Sequence, residues 1–348
     1  MRPVSVLIVD DSLTARSLMS VALRQASGLH VVGTAATVLE AREMILRLQP
    51  DVLTLDVEMP HMNGLDFLAK IMRLRPMPVV MVSAHTAQGA DSAIRALELG
   101  AVECFAKPAS GEGYAELAPV VLRAAMARLR GRGPDHEIAG KKIAATMTPG
   151  RVMPVVAIGA STGGVEALTE VLNGFGADCP PTVITQHMPA AFTDGFARRL
   201  NTICAPSVRI AEDRAILRPG QVYIAPGGLR HLQVVKRGVE AFCQLVEGDA
   251  VNGHRPSVDC LFHSVARSMG SRAVGVILTG MENDGARGLL AMRQAGARTI
   301  GQDEATSVIY GMPRAAFELG AVERQYPLGR IARAIGVVID QSFKENSL

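Results

Sequence analysis

Tryptophan is absent from this 348-residue chain, and aromatic residues of all kinds make up only 4% of it. Its five cysteines, Cys104, Cys179, Cys204, Cys243 and Cys260, are scattered without a single C-x-x-C pair. That argues against a disulfide framework and against a zinc site, and it suits a reducing compartment. A strong charge imbalance is missing too. The formal net charge is +3, too small at this length to support binding to nucleic acid or to a membrane surface. No apolar run approaches the ~18 residues needed to span a bilayer, so membrane insertion is not expected. The N-terminus enters Val4-Ser-Val-Leu-Ile-Val-Asp-Asp11 directly, without the basic region, apolar stretch and cleavage site of a signal peptide. What is present, 48% apolar and 20% charged residues, is the composition of a soluble globular protein. The chain is too long for one ordinary core, so a cytoplasmic protein of two domains is expected.

Residues 1 to about 125 alternate apolar runs (Val4–Val9, His30–Gly33, Val52–Leu55, Val79–Val82, Ala101–Phe105) with helix-period stretches such as Leu13–Gln25, Leu39–Leu48, Gly64–Leu74 and Ala90–Leu99. Five such units predict a parallel sheet with helices on both faces. Ligands of such sheets bind outside the carboxyl ends of the strands. Asp10 and Asp11 follow the first run, Asp56 the third, Ser83 the fourth and Lys107 the fifth. Converging carboxylates repel unless a cation lies between them, and an all-oxygen set suits Mg2+. Lys107 adds a fixed positive charge and Ser83 a hydroxyl, which suits a phosphoryl group carried on one carboxylate as an acyl phosphate. Any one of these residues reads as readily as a turn or cap. Together, at those strand ends, they point to one site.

Asp10-Asp11, Leu55-Asp56-Val-Glu-Met-Pro60, Ser83-Ala84 and Lys107-Pro108 resemble the motifs of a response-regulator receiver domain over the whole segment. The resemblance implies a flavodoxin-like fold over residues 1–125, with Asp56 as phosphoacceptor. It also implies Mg2+ held by Asp11, Asp56 and the backbone carbonyl of Glu58, with Asp10 acting partly through water. Lys107 would contact the phosphoryl group and Ser83 would move toward it. Phe105 stands at the aromatic switch position, where a plain apolar strand residue is an equally open reading.

From Gly131 to Gly150 the periodicity lapses, after a stretch, Tyr114–Leu129, that predicts a helix. A linker over residues 126–151 is expected. Its basic residues read as solvated surface, or alternatively as a contact with a neighbouring domain.

Beyond it, residues 152–348 again alternate. Strands are expected at Val155–Ile158, Thr182–Thr185, Val222–Ala225 and Val274–Leu278, helices at Val165–Leu172, Phe192–Asn201, Val258–Met269 and Ala286–Ala295, and a hairpin around Leu232–Val246. This is a second doubly wound α/β layer arrangement. Its first strand runs into Gly159-Ala-Ser161-Thr-Gly163-Gly164, the pattern that presents a serine on a sharp strand-to-helix turn. Serine needs a base and an orienting acid to act as a nucleophile. His187, in Gln186-His-Met-Pro189, and Asp284, in Thr279-Gly-Met-Glu-Asn-Asp-Gly285, follow two other strands. All three therefore fall at carboxyl ends on one edge of one sheet, as a nucleophile, base and orienter require. His254 and His231 stand as rival bases, with His263 less suited because it lies inside a helical pattern. Asp284 also reads as a cap for the helix after it. A dinucleotide cradle at Gly159–Gly164 is disfavoured by its spacing.

Gly159-Ala-Ser-Thr-Gly-Gly164, Gln186-His-Met-Pro189, His254-Arg-Pro-Ser-Val-Asp259 and Leu278-Thr-Gly-Met281 with Asp284-Gly285 are similar to the chemoreceptor methylesterases of the CheB family. The resemblance implies a parallel-sheet serine-hydrolase domain without a cofactor, with Ser161 as nucleophile, His187 as base and Asp284 as orienter. The Met281 N–H would be an oxyanion donor and Thr162 would line the site, while His254 and Arg255 fall in a family motif near it. The implied activity is phosphorylation-activated hydrolysis of glutamyl methyl esters, and deamidation of glutamines, on methyl-accepting chemoreceptors. The implied phosphodonor is a chemotaxis histidine kinase, and the implied location is cytoplasmic, at receptor arrays. One departure stands out. The family usually has glycine where this chain has Glu282, which would be strained if that backbone needs positive φ. A phosphorylation-controlled binding module with a lost esterase is the rival that this residue supports. A DNA-binding regulator is not supported, because the output region is large and not basic.

Overall fold

The structure is a computed structural model that describes residues 2–59, 62–83, 87–108, 111–129 and 154–345. Pro60, Ala84 and residues 130–151 of the expected linker lie outside them. The described residues fall into two compact units, one on either side of residue 134.

The first unit runs β1 (Val4–Val9), α1 (Leu13–Gln25), β2 (Leu29–Ala35), α2 (Val38–Leu48), β3 (Val52–Asp56), α3 (Gly64–Leu74), β4 (Val79–Ser83), α4 (Ala87–Glu98), β5 (Glu103–Ala106) and α5 (Leu117–Ala125). Its strands are all parallel in the order β2-β1-β3-β4-β5, the doubly wound order of flavodoxin-like sheets. Val6 to Val9 and Val79 to Val82 are fully buried, as strands covered on both faces must be. Local chemistry starts the helices. The Ser12, Thr37 and Asn63 side chains each accept a backbone N–H of the helix they cap. Gly64 has no substitute: a Cβ there would lie 1.9 Å from the carbonyl oxygen of Asp56.

One expectation needs correcting. The helix predicted over 114–129 is a 3-10 turn, Gly111–Glu116, followed by α5, which ends at Ala125. Val121 and Ala124 are its last side chains in the core and Met126 is 62% exposed, so nothing rewards a further turn.

The second unit runs β6 (Val155–Ala160), α6 (Gly164–Asn173), β7 (Thr182–Gln186), α7 (Ala190–Ile203), β8 (Ser207–Ile210), β9 (Gln221–Ile224), β10 (Arg230–Arg237), β11 (Glu240–Glu247), α8 (Val258–Met269), β12 (Ala273–Ile277), α9 (Ala286–Gln294), β13 (Arg298–Gln302), α10 (Met312–Glu318), β14 (Arg324–Tyr326) and α11 (Leu328–Glu345). Seven strands form one parallel sheet in the order β14-β13-β12-β6-β7-β9-β8. β10 and β11 form a separate antiparallel hairpin. β6 is flanked by β7, which follows it in the chain, and by β12, which arrives much later. This is the switch point at which open α/β sheets leave a crevice.

Candidate active site

Register brings the three segments together. Ala160 is paired with Gln186 across β6 and β7, and the His187 N–H donates to the Ala160 carbonyl at 3.0 Å. On the other side the Leu278 N–H donates to Gly159 at 2.9 Å and the Ser161 N–H to Thr279 at 3.0 Å. Ser161 therefore leaves the sheet with the β7 and β12 loops on either side. It turns at once into α6, closed by a 2.7 Å bond from the Gly164 N–H to its carbonyl. Gly163 makes this turn at φ +78°, and a Cβ there would lie 2.6 Å from Val308 Cβ.

Asp284, fully buried, carries the densest set of bonds in the unit. Its Oδ2 accepts from His187 Nε2 at 2.8 Å and from the Val258 N–H at 2.7 Å. Its Oδ1 accepts from the Ser257 hydroxyl at 2.8 Å, the Asn252 amide at 2.9 Å and the Asp259 N–H at 3.2 Å. Two of these donors are backbone groups of the first turn of α8, where the helix dipole favours negative charge. Burial alone would push the Asp284 pKa up, but His187 and the converging donors outweigh it and hold the carboxyl well below the usual range. An ionised carboxylate can only accept, so His187 Nε2 carries the proton and Nδ1 carries the lone pair. Nδ1 is buried and without a hydrogen-bond partner. The nitrogen turned away from the carboxylate is thus Nδ1, the reverse of the edge that chymotrypsin's histidine leaves free.

The other histidines are engaged differently. His231 is buried, with Nε2 on the Asp249 carbonyl at 2.9 Å and Nδ1 accepting from the Ser257 N–H at 3.1 Å, so both of its nitrogens are taken. His263 lies within α8. The His254 ring stacks on that of His187, with centroids 3.7 Å apart and planes 10° apart. Its Nε2 is 3.1 Å from Oε2 of Glu282, which has φ +65°, the left-handed conformation that favours glycine. Arg255, the next residue, points its guanidinium at the carbonyls of Gly228 and Gly248, at 2.8 Å each.

Met281 lies between Gly280, whose carbonyl accepts from the Gly311 and Met312 N–H groups, and Glu282. Thr162 is 4% exposed, and its carbonyl accepts from the Thr279 hydroxyl at 3.0 Å. Thr162 follows Ser161 directly, and Gly280, the residue before Met281, comes so close that a Cβ on it would lie 2.8 Å from Ser161 Cβ.

In the first unit, Asp10, Asp11 and Asp56 offer carboxylate oxygens that all lie within 4.8 Å of one another. Lys107 Nζ is 2.8 Å from Asp10 Oδ2 and 2.7 Å from Asp56 Oδ2. Asp10 Oδ2 is nonetheless buried without an aligned hydrogen bond. Burial pushes Asp56 up to about 6, with Asp10 adding to the rise and Lys107 opposing it. Two buried carboxylates and one exposed one, with an under-satisfied oxygen on Asp10 and oxygen-only donors, fit a hard divalent cation. The Glu58 N–H donates to Asp56 Oδ1 at 3.3 Å, which folds the chain after Asp56 back over the cluster. The Ser83 hydroxyl donates to the Gly89 carbonyl at 2.9 Å, and buried Phe105 lies 6.2 Å from the Tyr114 ring.

Several supporting residues escaped the sequence reading. The Gln186 amide donates to the carbonyls of Ser161 and His187, at 2.9 Å each. Asn252 and Ser257 hold Asp284, and Gln302 Oε1 accepts from the Thr279 N–H at 2.7 Å. Their only sequence signal was adjacency: Gln186 precedes His187, and Asn252 and Ser257 bracket His254.

Comparison with known proteins gives the family of each unit. A family profile described as CheB methylesterase matches residues 156–335, and one described as response regulator receiver domain matches residues 6–117. A protein of Caulobacter vibrioides named protein-glutamate methylesterase/protein-glutamine glutaminase 1 is 57% identical over 342 residues, covering 96% of this chain and 98% of its own. A protein-glutamate methylesterase/protein-glutamine glutaminase of Gluconobacter oxydans is 56% identical over 343 residues, covering 96% and 95%. Among solved structures, the Thermotoga maritima CheB methylesterase catalytic domain is 35% identical with a TM-score of 0.52, covering 53% of this chain and 98% of that one.

Proposed function

The chain belongs to the CheB methylesterase family, and from that premise we propose that it hydrolyses glutamyl methyl esters on chemoreceptor helices, and deamidates glutamines there, under control of a phosphorylated receiver. The supporting observation is the His187–Asp284 pair, with a buried Nδ1 that has no hydrogen-bond partner, on a loop bonded to Ala160 just before Ser161. His187 Nδ1 takes the Ser161 proton as the hydroxyl oxygen attacks the ester carbonyl. The Met281 N–H holds the tetrahedral oxyanion, with Thr162 lining the site. The imidazolium then gives its proton to the departing methoxide, and methanol leaves. Water, deprotonated by His187, attacks the acyl-serine and releases the glutamate carboxylate and Ser161. With a glutamine the first leaving group is ammonia, and the same carboxylate results.

We assign residues 1–125 to the receiver, 126–151 to a linker and 152–348 to the catalytic domain. Asp56 is the phosphoacceptor, supplied by a chemotaxis histidine kinase. Asp10, Asp11, Asp56 and the Glu58 carbonyl would hold Mg2+, which neutralises charge around an incoming phosphoryl group. Lys107 supplies the fixed positive charge, and Ser83 and Phe105 report the change. Among the described residues no helix is long and apolar enough to cross a membrane. The setting proposed is the cytoplasmic receptor array, where demethylation resets receptor signalling.

The test is methanol release from methylated receptor by the wild type and by Ser161→Ala, with and without a small phosphodonor and Mg2+. The expected result is release that depends on Ser161 and rises with phosphodonor. No release by the wild type under either condition would favour the binding-module alternative.

A further inference from the structure

Two imidazole–carboxylate pairs lie back to back at the carboxyl ends of β7 and β12. His187 is paired with Asp284 at 2.8 Å, His254 with Glu282 at 3.1 Å, and the rings stack at 3.7 Å. Only the first pair is used in the hydrolysis described above. We propose that His254 and Glu282 are a positioning pair, in which neutral His254 holds the face of the His187 ring and Glu282 offsets the positive charge that forms on His187 in the transition state. This rests on the esterase reading of the site.

The geometry supports each part. A flat stack blocks rotation of the His187 ring out of plane, while Asp284 fixes its Nε2 edge, so Nδ1 keeps one direction. His254 is itself held: its N–H and carbonyl are both bonded to Val251, at 3.0 Å each. The charged and titratable groups acting on it are Glu282 and Asp284 from the β12–α9 loop and His187 from the β7–α7 loop. Arg255, next in the chain, is directed at carbonyls instead. Two imidazolium rings at this separation would repel, so the stack takes one proton between its members. Burial and the neighbouring His187 charge both lower the His254 pKa, while Glu282 and Asp284 raise it less. His254 is therefore held in its neutral form beside the His187 ring. Glu282 is partly exposed, so its effect is moderated by solvent. Its φ of +65° costs about 1 kcal/mol relative to glycine, and such strain persists where the surroundings over-determine it.

The test compares the wild type with Glu282→Gln, which retains an acceptor for His254 Nε2–H but not the charge, and with Glu282→Gly, which also removes the backbone strain. Two quantities are measured: kcat and KM for methyl-ester hydrolysis against pH, and the ring-proton NMR titrations of His187 and His254. For both variants a loss of roughly three- to ten-fold in kcat is expected, with the acidic limb and the His187 titration displaced to lower pH by roughly half a unit. Profiles and titrations that overlay the wild type would overturn the proposal, as would a loss confined to KM. A wild type that releases no methanol would instead remove the esterase reading, and the transition-state role with it. The ring titrations would still decide whether Glu282 acts on His187.

Discussion

The Gln186 side-chain amide ties the Ser161 carbonyl to the His187 carbonyl, donating to each at 2.9 Å. The Ser161 and His187 turns are thus fastened to each other through their backbone carbonyls. Gln186→Leu keeps the bulk but removes the donor to the His187 carbonyl and one of the two donors to the Ser161 carbonyl, which retains the Gly164 N–H. It is expected to lower stability by about 1–3 kcal/mol and kcat by about ten-fold or more through lost alignment. Thermal denaturation and steady-state kinetics on the same preparation check this. Lowered stability with an unchanged kcat would assign Gln186 to packing alone.

Asp284→Asn places an amide nitrogen among donors and removes the acceptor that fixes the His187 tautomer. A fall in kcat of about 10³–10⁴-fold is expected, by analogy with other triads. The pH dependence of stability should change too. The Asp284 pKa is depressed in the folded chain, so its contribution is present above the unfolded carboxylate value of about 4 and is lost as pH falls below it. Urea denaturation across the acid range should show a steeper loss for the wild type than for the variant.

Asp56 has the opposite sign. Its folded pKa is pushed up to about 6, so ionising it in place weakens the fold as pH rises through that value. Asp56→Asn is expected to stabilise the receiver unit in metal-free neutral buffer by about 1–3 kcal/mol, with the difference shrinking toward about pH 4. The same variant should lose the response to phosphodonor. Melting curves at neutral and mildly acidic pH test the first expectation, and no gain at neutral pH would mean that Lys107 already compensates the charge in full.

Much of the site was legible because parallel strands covered on both faces read as apolar runs, and the first polar residue after such a run marks a carboxyl end. Ser161, Asp10, Asp56 and Lys107 follow this logic directly, whereas His187 comes after Gln186 and Asp284 comes six residues after Leu278. What was missed has equally physical reasons. β8 is an edge strand in which exposed Ser207 and Arg209 alternate with Val208 and Ile210, and β14 has only three residues. β13 is central yet carries Gln302, whose amide serves loops rather than the core. The His254 stack and the Asn252 and Ser257 bonds join segments about 30 residues or more apart in sequence, and no periodicity encodes them. The strain suspected at Glu282 was visible only as a condition, and its φ of +65° meets that condition.

The position of β6 between β7 and β12 also bears on when activity can begin during synthesis. Ser161 and His187 are made early, but Asp284 follows Ser161 by 123 residues (284 − 161). A nascent chain halted before β12 has a serine and an imidazole with no carboxylate to orient them, and the sheet edge that β12 should occupy is open. With the triad proposed above, full hydrolysis starts only once the late strand has docked against β6. A truncated translation product is then crippled by construction, whatever the state of its receiver.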